Sequence, residues 1–380
     1  MFFYWAMMLS FSGMYTLYII KIGFTKAEIG IAATVYVLSA FAGQNLLGYI
    51  ADRYRSIKKI LFAAVFSGIP IAVLLTFSDS SWYVIMLIAL WGFFLRGSIP
   101  LSELFFIRVL KTSNDLHNFG SIRGFGSIGY GISGIIFGYL LQKTGWVVFP
   151  WYICISIFIT LSILFLIKGI DPSDLELEDL NKFKDRIGYA RLIREISGIA
   201  ELKRIIIIIF MYSFVVSGVY SYLGVLVSDF GGGALSLGAT YLFDAGPEIV
   251  TFFLTTRLLT RYSSRHMIIF AFILQIIRLS MLIVFNTPLA IILLGPLSGF
   301  AYGLIASSYK TYIYELAPEK YKASCIGFSE SVIGLSAMIS VPVFGYVLLK
   351  AGAQAAISMG LVINIAAAMI IMLERKKESS

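Results

Sequence analysis

The chain repeats one pattern along most of its length: a block of about 20 or more mostly apolar residues, then a short polar joint. Blocks of that length cross a bilayer as helices, because a helix satisfies its own backbone where water cannot. Twelve are predicted, at Met1 to Ile20, Ala27 to Ala51, Lys58 to Phe77, Trp82 to Lys111, His117 to Lys143 and Trp146 to Lys168, then Leu202 to Asp229, Ser236 to Thr260, Arg265 to Phe285, Pro288 to Tyr314, Tyr321 to Leu349 and Ala353 to Glu374. The pattern breaks once, over Gly169 to Arg204, where Asp, Glu, Lys and Arg accumulate. Its stretch "DPSDLELEDLNKFKDRIG" reads as a solvated linker or as a short amphipathic surface helix. The expected organisation is a six-helix bundle at 1–168, a linker at 169–201 and a second six-helix bundle at 202–380.

Composition agrees: hydrophobic residues are 59% of 380 and charged ones 13%, so most of the chain has no need of water. The fold class is therefore an all-α membrane protein. Orientation follows from Lys and Arg, which stay in short loops on the cytoplasmic side. One side collects Arg53, Arg55, Lys58 and Lys59, then Arg108 and Lys111, then Arg257, Arg261 and Arg265, then Lys320 and Lys322, and last Arg375, Lys376 and Lys377. The other side has Lys21, Lys26, Lys143 and Lys350 against Asp79 and Asp229. Both termini are then cytoplasmic. The net charge of +9 is accounted for by this bias and by contact with anionic membrane lipids, which leaves a nucleic-acid partner nothing to explain. Cys154 and Cys325 fall inside helices and argue against a disulfide framework. The first block lacks a basic leader and a small-residue cleavage site, so it reads as the first helix and not a removed signal peptide. No Gly-rich phosphate loop is present, nor a nucleophile-and-base set or metal-ligand cluster; no enzyme, metal or cofactor is expected.

The halves repeat. "FGYLLQKTG", ending at Gly145, returns as "FGYVLLKAG", ending at Gly352, an offset of 207; "DRYRS" at Asp52 is echoed by "TRYSS" at Thr260, an offset of 208. Two matches at nearly one offset imply a duplicated six-helix unit. Paired bundles of this kind hold a site between them near the bilayer midplane.

Several charges interrupt the apolar blocks, and each is expensive unless paired or hydrated. Glu103 on the inward-running fourth helix and Arg123 on the outward-running fifth lie at similar depth, about two turns from the cytoplasmic end, and can meet. Such a pair is either a structural clamp or, in a cavity, a carboxylate and guanidinium offered to a polar ligand. In the eighth helix Asp244 and Glu248 share one face with Pro247 between them, a place for a bend and a freed carbonyl. Arg278, in the ninth, falls at the depth of Asp244. There burial disfavours a charged carboxylate and a guanidinium favours it, so a motion separating them can trigger protonation; the alternative is a fixed ion pair. The 207 offset maps Arg123 onto Glu330, so both are expected at the interface between halves. Lys310, near the cytoplasmic end of the tenth helix, is expected to snorkel. The glycines Gly120, Gly124, Gly126, Gly129, Gly131, Gly134 and Gly138 read as close helix packing.

The stretch "GYIADRYRSIKK" resembles the signature of the major facilitator superfamily at Gly48, Asp52, Arg53, Lys58 and Lys59, and departs where that family has a second Gly, at Arg55 or Ser56. In that setting Asp52 is expected to cap a helix N-terminus and to join a charge lattice that breaks when the halves rock apart; the basic residues alone need only positive-inside topology. "PLSE", ending at Glu103, followed by a loop and "FGSIRGFGSIGY", is similar to the branch of lactose permease and related oligosaccharide, nucleoside and phenylpropionate proton symporters. The resemblance implies that Glu103 and Arg123 grip hydroxyls, that Tyr130, where the permease has Trp, stacks on the substrate ring, and that Glu248 and Arg278 serve binding and proton coupling. It also sets Arg96 close to where many members place a coupling Arg; Arg96 joins the candidate substrate site. The permease's His and Glu of the tenth helix are missing from "GPLSGFAYG", and its acidic residues of the seventh are missing from "FMYSFVVSGVYSYLGVLV". The only histidines, His117 and His266, lie in loops, so any proton carrier must be Glu248, Asp244 or Glu330. The expectation is a multi-pass transporter of the cell membrane, bacterial and cytoplasmic, with protons and a small polar or aromatic solute as its ligands. An uncoupled facilitator, an efflux antiporter and a non-transporting sensor remain open.

Overall fold

The structure is a computed structural model that describes residues 1–112, 119–167, 198–318 and 321–373. The linker at 169–197 with its possible surface helix, His117, Lys320 and the basic tail after Leu373 lie outside the described residues. Among the described residues all regular structure is helical: α1 Phe2–Ser12, α2 Tyr15–Lys21, α3 Lys26–Arg53, α4 Ile57–Phe66, α5 Gly68–Leu74, α6 Ser81–Phe94, α7 Ile99–Thr112, α8 Phe119–Thr144 and α9 Phe149–Leu166 in the first half, then α10 Ala200–Ser221, α11 Leu223–Asp229, α12 Ala234–Arg261, α13 Ser264–Val284, α14 Pro288–Leu293, α15 Gly295–Leu316 and α16 Lys322–Met372.

Helix starts follow local chemistry. Thr25 and Glu28 form a reciprocal capping box at the start of α3, with the Thr25 amide donating to Glu28 Oε2 at 2.8 Å. Thr287 accepts from the Ala290 amide ahead of Pro288, whose missing N–H is no loss in a first turn. Among the described residues ten helical segments are long and apolar enough to cross a membrane. Ser324–Met372 counts once among them although Gly352, at φ 83°, breaks it where the eleventh and twelfth predicted blocks meet. The 28-residue α12 is not among the ten, because Asp244 and Glu248 dilute its apolar length. Bulky apolar side chains stand exposed around the outside, among them Phe66, Trp82, Trp151, Phe158, Phe165 and Val362, as a surface facing lipid requires.

The internal repeat is visible in the backbone. Helices α2 and α11 both have 7 residues and α3 and α12 both have 28, each pair 208 positions apart. Gly23 and Gly231 share a left-handed φ, 93° and 84°, at the same offset; Gly145 and Gly352 do so at 207, with 76° and 83°. Only glycine takes that φ without strain. Lys58 donates to the carbonyls of Phe165 and Ile167 at the end of α9, and Arg265, 207 positions on, donates to those of Ile371 and Met372 at the end of α16. In each half a cation thus closes the last helix by binding its orphan carbonyls.

The two halves pack backbone against backbone at one end. Glycines of α8 let α12 approach to backbone distance: Gly134 lies against Gly238, and Gly138 against Ala234. Nearby, Gly345 of α16 lies 3.5 Å from Gly30 of α3 by its would-be Cβ, Gly224 packs on Thr16, and Lys26 Nζ reaches Asp229 Oδ2 at 3.4 Å. The larger apolar cluster accordingly runs through the first half and into the second at Val215–Val227 and Phe344–Ile357. At the other end the second half keeps a separate cluster, built from Leu202–Tyr212, Met267–Phe272 and Ala301–Ile313. Along α3 the contact with α16 ends near Phe41, 3.7 Å from Gly334, after which Gln44, Asn45 and Tyr49 are exposed. The space between the halves therefore opens toward the end that carries Arg53, Lys59 and Arg108.

Candidate functional site

Two glycines build the first wall of this space. Gly126 lies against the Trp5 ring and Gly129 against the Phe2 backbone, so α8 settles on α1 and brings Arg123 over Trp5, 4.3 Å from the ring centroid. Arg123 Nε also lies 3.4 Å from Glu103 Oε1 on α7, with the two side chains 20% and 39% exposed. A guanidinium can hold an indole face and a carboxylate together because its plane stacks while its edge donates. One helical turn further, Ser127 donates to Glu248 Oε1 of α12 at 3.1 Å, a bond that crosses between halves. Tyr130 meets Trp5 edge-on at 6.3 Å and Tyr241 of α12 at 5.2 Å.

Deeper in, the fourth predicted helix is interrupted by a tight turn at Arg96–Ser98, between α6 and α7. Arg96 projects from it over the Tyr36 ring at 5.1 Å, remains exposed, and has no carboxylate within 4.0 Å among the described residues. Tyr36 is buried, its hydroxyl 2.6 Å from Ser12 Oγ and its ring 5.1 Å from Tyr15. Tyr15, Tyr36 and Tyr241 so form an aromatic floor over the closed end. Glu103, Arg123, Ser127, Tyr130 and Glu248 are joined contact by contact from α7 through α8 to α12.

Asp244 and Arg278 do not form the ion pair expected of them. Both are buried, 4% and 2% exposed, and no contact within 4.0 Å joins them. Asp244 instead accepts a hydrogen bond from the Tyr220 hydroxyl of α10, while its Oδ1 and the Nε and Nη2 of Arg278 have no partner. On another flank of α12, Gly295 and Gly299 of α15 sit directly on Asp244, and Gly303 sits on Thr251. The stretch "GPLSGFAYG" is thus a row of glycines spaced by four that admits α12, a role its missing His and Glu left unread. Glu248 likewise groups with Ser127 and Arg123, not with Arg278. Pro247 does not break α12, although it leaves the Phe243 carbonyl without its helical N–H partner; the Thr251 hydroxyl donates to the Pro247 carbonyl at 2.7 Å.

Lys310 does not snorkel past its helix end. It turns to Glu330 of α16, Nζ to Oε1 at 2.7 Å, and the Tyr309 hydroxyl donates to the same oxygen at 2.7 Å. Asp52 caps no helix: it lies in the last turn of α3, four residues before Ser56, the N-cap of α4, which makes no side-chain cap bond. Among the described residues Asp52 and Arg53 are exposed without an ion pair, and Gly48 faces open space. The position where the superfamily signature has its second Gly is Arg55, which holds a left-handed φ of 48°. Trp5, Tyr36, Tyr220 and Ser127 were not foreseen; "FFYWAMM" carries no polar marker, and Trp5 gains its place only where Gly126 of α8 packs on it.

A sequence model of the MFS_1-like family matches residues 1–356. The chain belongs to the major facilitator superfamily. The maltose permease of Geobacillus stearothermophilus is 21% identical over 357 residues, covering 93% of this chain and 86% of that protein. Among solved structures, the nucleoside transporter NupG superposes with a TM-score of 0.73 at 14% identity over 98% of this chain and 95% of that one. A D-xylose-proton symporter does so with 0.72 at 14% identity, over 98% and 94%. These similarities give the fold. As a major facilitator the chain is a multi-pass membrane transporter and not an enzyme.

Proposed function

We propose that this protein is a proton-coupled symporter of a small polar or aromatic solute, working by alternating access. The observation that carries the reading is the set of Glu103, Arg123 on Trp5, Tyr130 and Glu248 around a cavity that is open at one end and sealed by Tyr15, Tyr36 and Tyr241 at the other. A stacked guanidinium beside a carboxylate, with tyrosine rings facing it, suits a ligand with hydroxyls on a flat or ring-shaped body. Sugars, nucleosides and aromatic acids are such ligands, and maltose, nucleosides and D-xylose stand in the names of the similar proteins. Glu248 is the leading proton carrier, since it reaches across to Ser127 of the other half, with Asp244 and Glu330 as the alternatives. Twelve crossings, cytoplasmic termini, bundles at 1–168 and 202–380 and a bacterial cytoplasmic membrane complete the reading, which makes the open end of the cavity cytoplasmic.

The test is external pH in a lightly buffered proteoliposome suspension as glycosides, nucleosides and aromatic carboxylates are added in turn. Alkalinisation with one class is the expected result and names the substrate. Tracer exchange without a pH change would make the protein a facilitator, and acidification an antiporter.

A further inference from the structure

Two ion pairs flank the open end of the cavity, and the internal repeat relates them to each other. Glu103 and Arg123 meet at 3.4 Å between α7 and α8; Lys310 and Glu330 meet at 2.7 Å between α15 and α16. Lys310 stands 207 positions after Glu103 and Glu330 stands 207 positions after Arg123, the offset that joins Gly145 to Gly352 and Lys58 to Arg265. The duplication has thus kept the place of each pair and reversed both charges.

The reversal has a geometric consequence. Halves related by a two-fold axis along the membrane normal bring residues that line that axis toward their own repeat-mates on closing, as Thr16 and Gly224, 208 positions apart, already meet at the shut end. Had the charges been kept, closure at the open end would set carboxylate against carboxylate and cation against cation. As they stand it sets Glu103 toward Lys310 and Arg123 toward Glu330. All four side chains are free to move, being 39%, 20%, 50% and 48% exposed for Glu103, Arg123, Lys310 and Glu330. The two pairs stand on α7–α8 of one half and α15–α16 of the other, on either side of the space between the halves.

We infer that Lys310 and Glu330 are gate residues that exchange partners with Glu103 and Arg123: each pair closes within its own half while the basic end is open, and across the halves when that end shuts. Tyr309, which donates to Glu330 in the open state, holds the carboxylate until then. The exchange keeps four charges paired at both ends of the cycle, so neither state strands a charge in the membrane interior. It rests on the alternating-access reading and adds the residues that stabilise its unseen state.

The experiment reads the distance between spin labels at Tyr54 and Tyr262, exposed repeat-mates at the basic end, in otherwise cysteine-free protein with Cys154 and Cys325 replaced. The parent should populate a short distance as well as the long one seen here. Glu103→Arg with Arg123→Glu keeps the pair within the first half but sets like charges across the gap; the short-distance population should fall at least about tenfold, as expected for two like-charge encounters. Adding Lys310→Glu with Glu330→Lys restores opposite charges across the gap and should return that population to within about twofold of the parent. Both variants keep every pair within its half, so a fold held by those pairs survives in each. An unchanged short-distance population in the first variant, or no recovery in the second, overturns the partner exchange while leaving alternating access standing. A parent that never shortens overturns both.

Discussion

Arg123 holds a carboxylate and an indole at once, and this double hold is what a ligand would have to share or displace. Arg123→Ala removes both contacts and leaves Glu103 uncompensated. For the substrate class that gives a proteoliposome signal, half-saturation should rise tenfold or more, since a charge-assisted hydrogen bond contributes roughly 1.5–3 kcal/mol. Arg123→Lys should recover little, because an ammonium has no planar face for Trp5 and no fork for a carboxylate. An unchanged half-saturation in Arg123→Ala would reduce the pair to a clamp between α7 and α8. Glu248→Gln should abolish accumulation against a gradient while sparing tracer exchange; accumulation that survives it would move the proton to Asp244 or Glu330. Glu103 and Arg123 were legible in the sequence because a permanent charge inside an apolar block is expensive and must find a partner at its own depth. Their indole was not, because Trp5 sits in a block with no polar marker and meets Arg123 only through the glycines of α8. Asp244 misled for a related reason: depth along a helix places residues at one level but does not choose between Tyr220 and Arg278 around it.

At the scale of elements, the turn from α3 to α4 shows how far a motif carries. The signature was recognised by its charges, yet its physical defect is conformational: Arg55 occupies the left-handed region at φ 48° where glycine is at ease. The left-handed conformation costs a residue with a side chain about 1–2 kcal/mol. Arg55→Gly should therefore raise the unfolding midpoint in detergent above that of Arg55→Ala, which removes the charge but keeps the strain. Equal midpoints would mean that the turn relaxes at no cost. Helix positions were legible from apolar length alone, and so was the offset between halves. The interruptions at Gly13, Arg96–Ser98, Tyr222 and Leu294 were not, because apolar composition continues across each of them and only packing against a neighbouring helix fixes where the backbone turns. The glycine row of α15 escaped notice for the same reason: Gly295, Gly299 and Gly303 acquire meaning only when α12 lies on them.

For the whole molecule, the question is what holds one end shut while the other stands open. Lys26 and Asp229 bridge the shut end, but an exposed pair of this kind contributes at most about 1 kcal/mol. The glycine contacts are the stronger constraint, since backbone packed on backbone leaves no room for a side chain: a methyl group at Gly238 would overlap the Gly134 carbonyl. Overpacking a tight contact costs typically about 1–3 kcal/mol, comparable to the difference between two transporter states, so it can reverse their order. Gly238→Val should then force α12 away from α8 and open the shut end. Spin labels at Lys21 and Asn286, both exposed at that end on opposite halves, should move apart, while labels at Tyr54 and Tyr262 come together as the basic end closes. Lys26→Ala should shift the same distances far less. If Gly238→Val lengthens the first distance without shortening the second, the two ends are not levers on one rigid-body motion, and closure of the basic end has to be driven by its own charges.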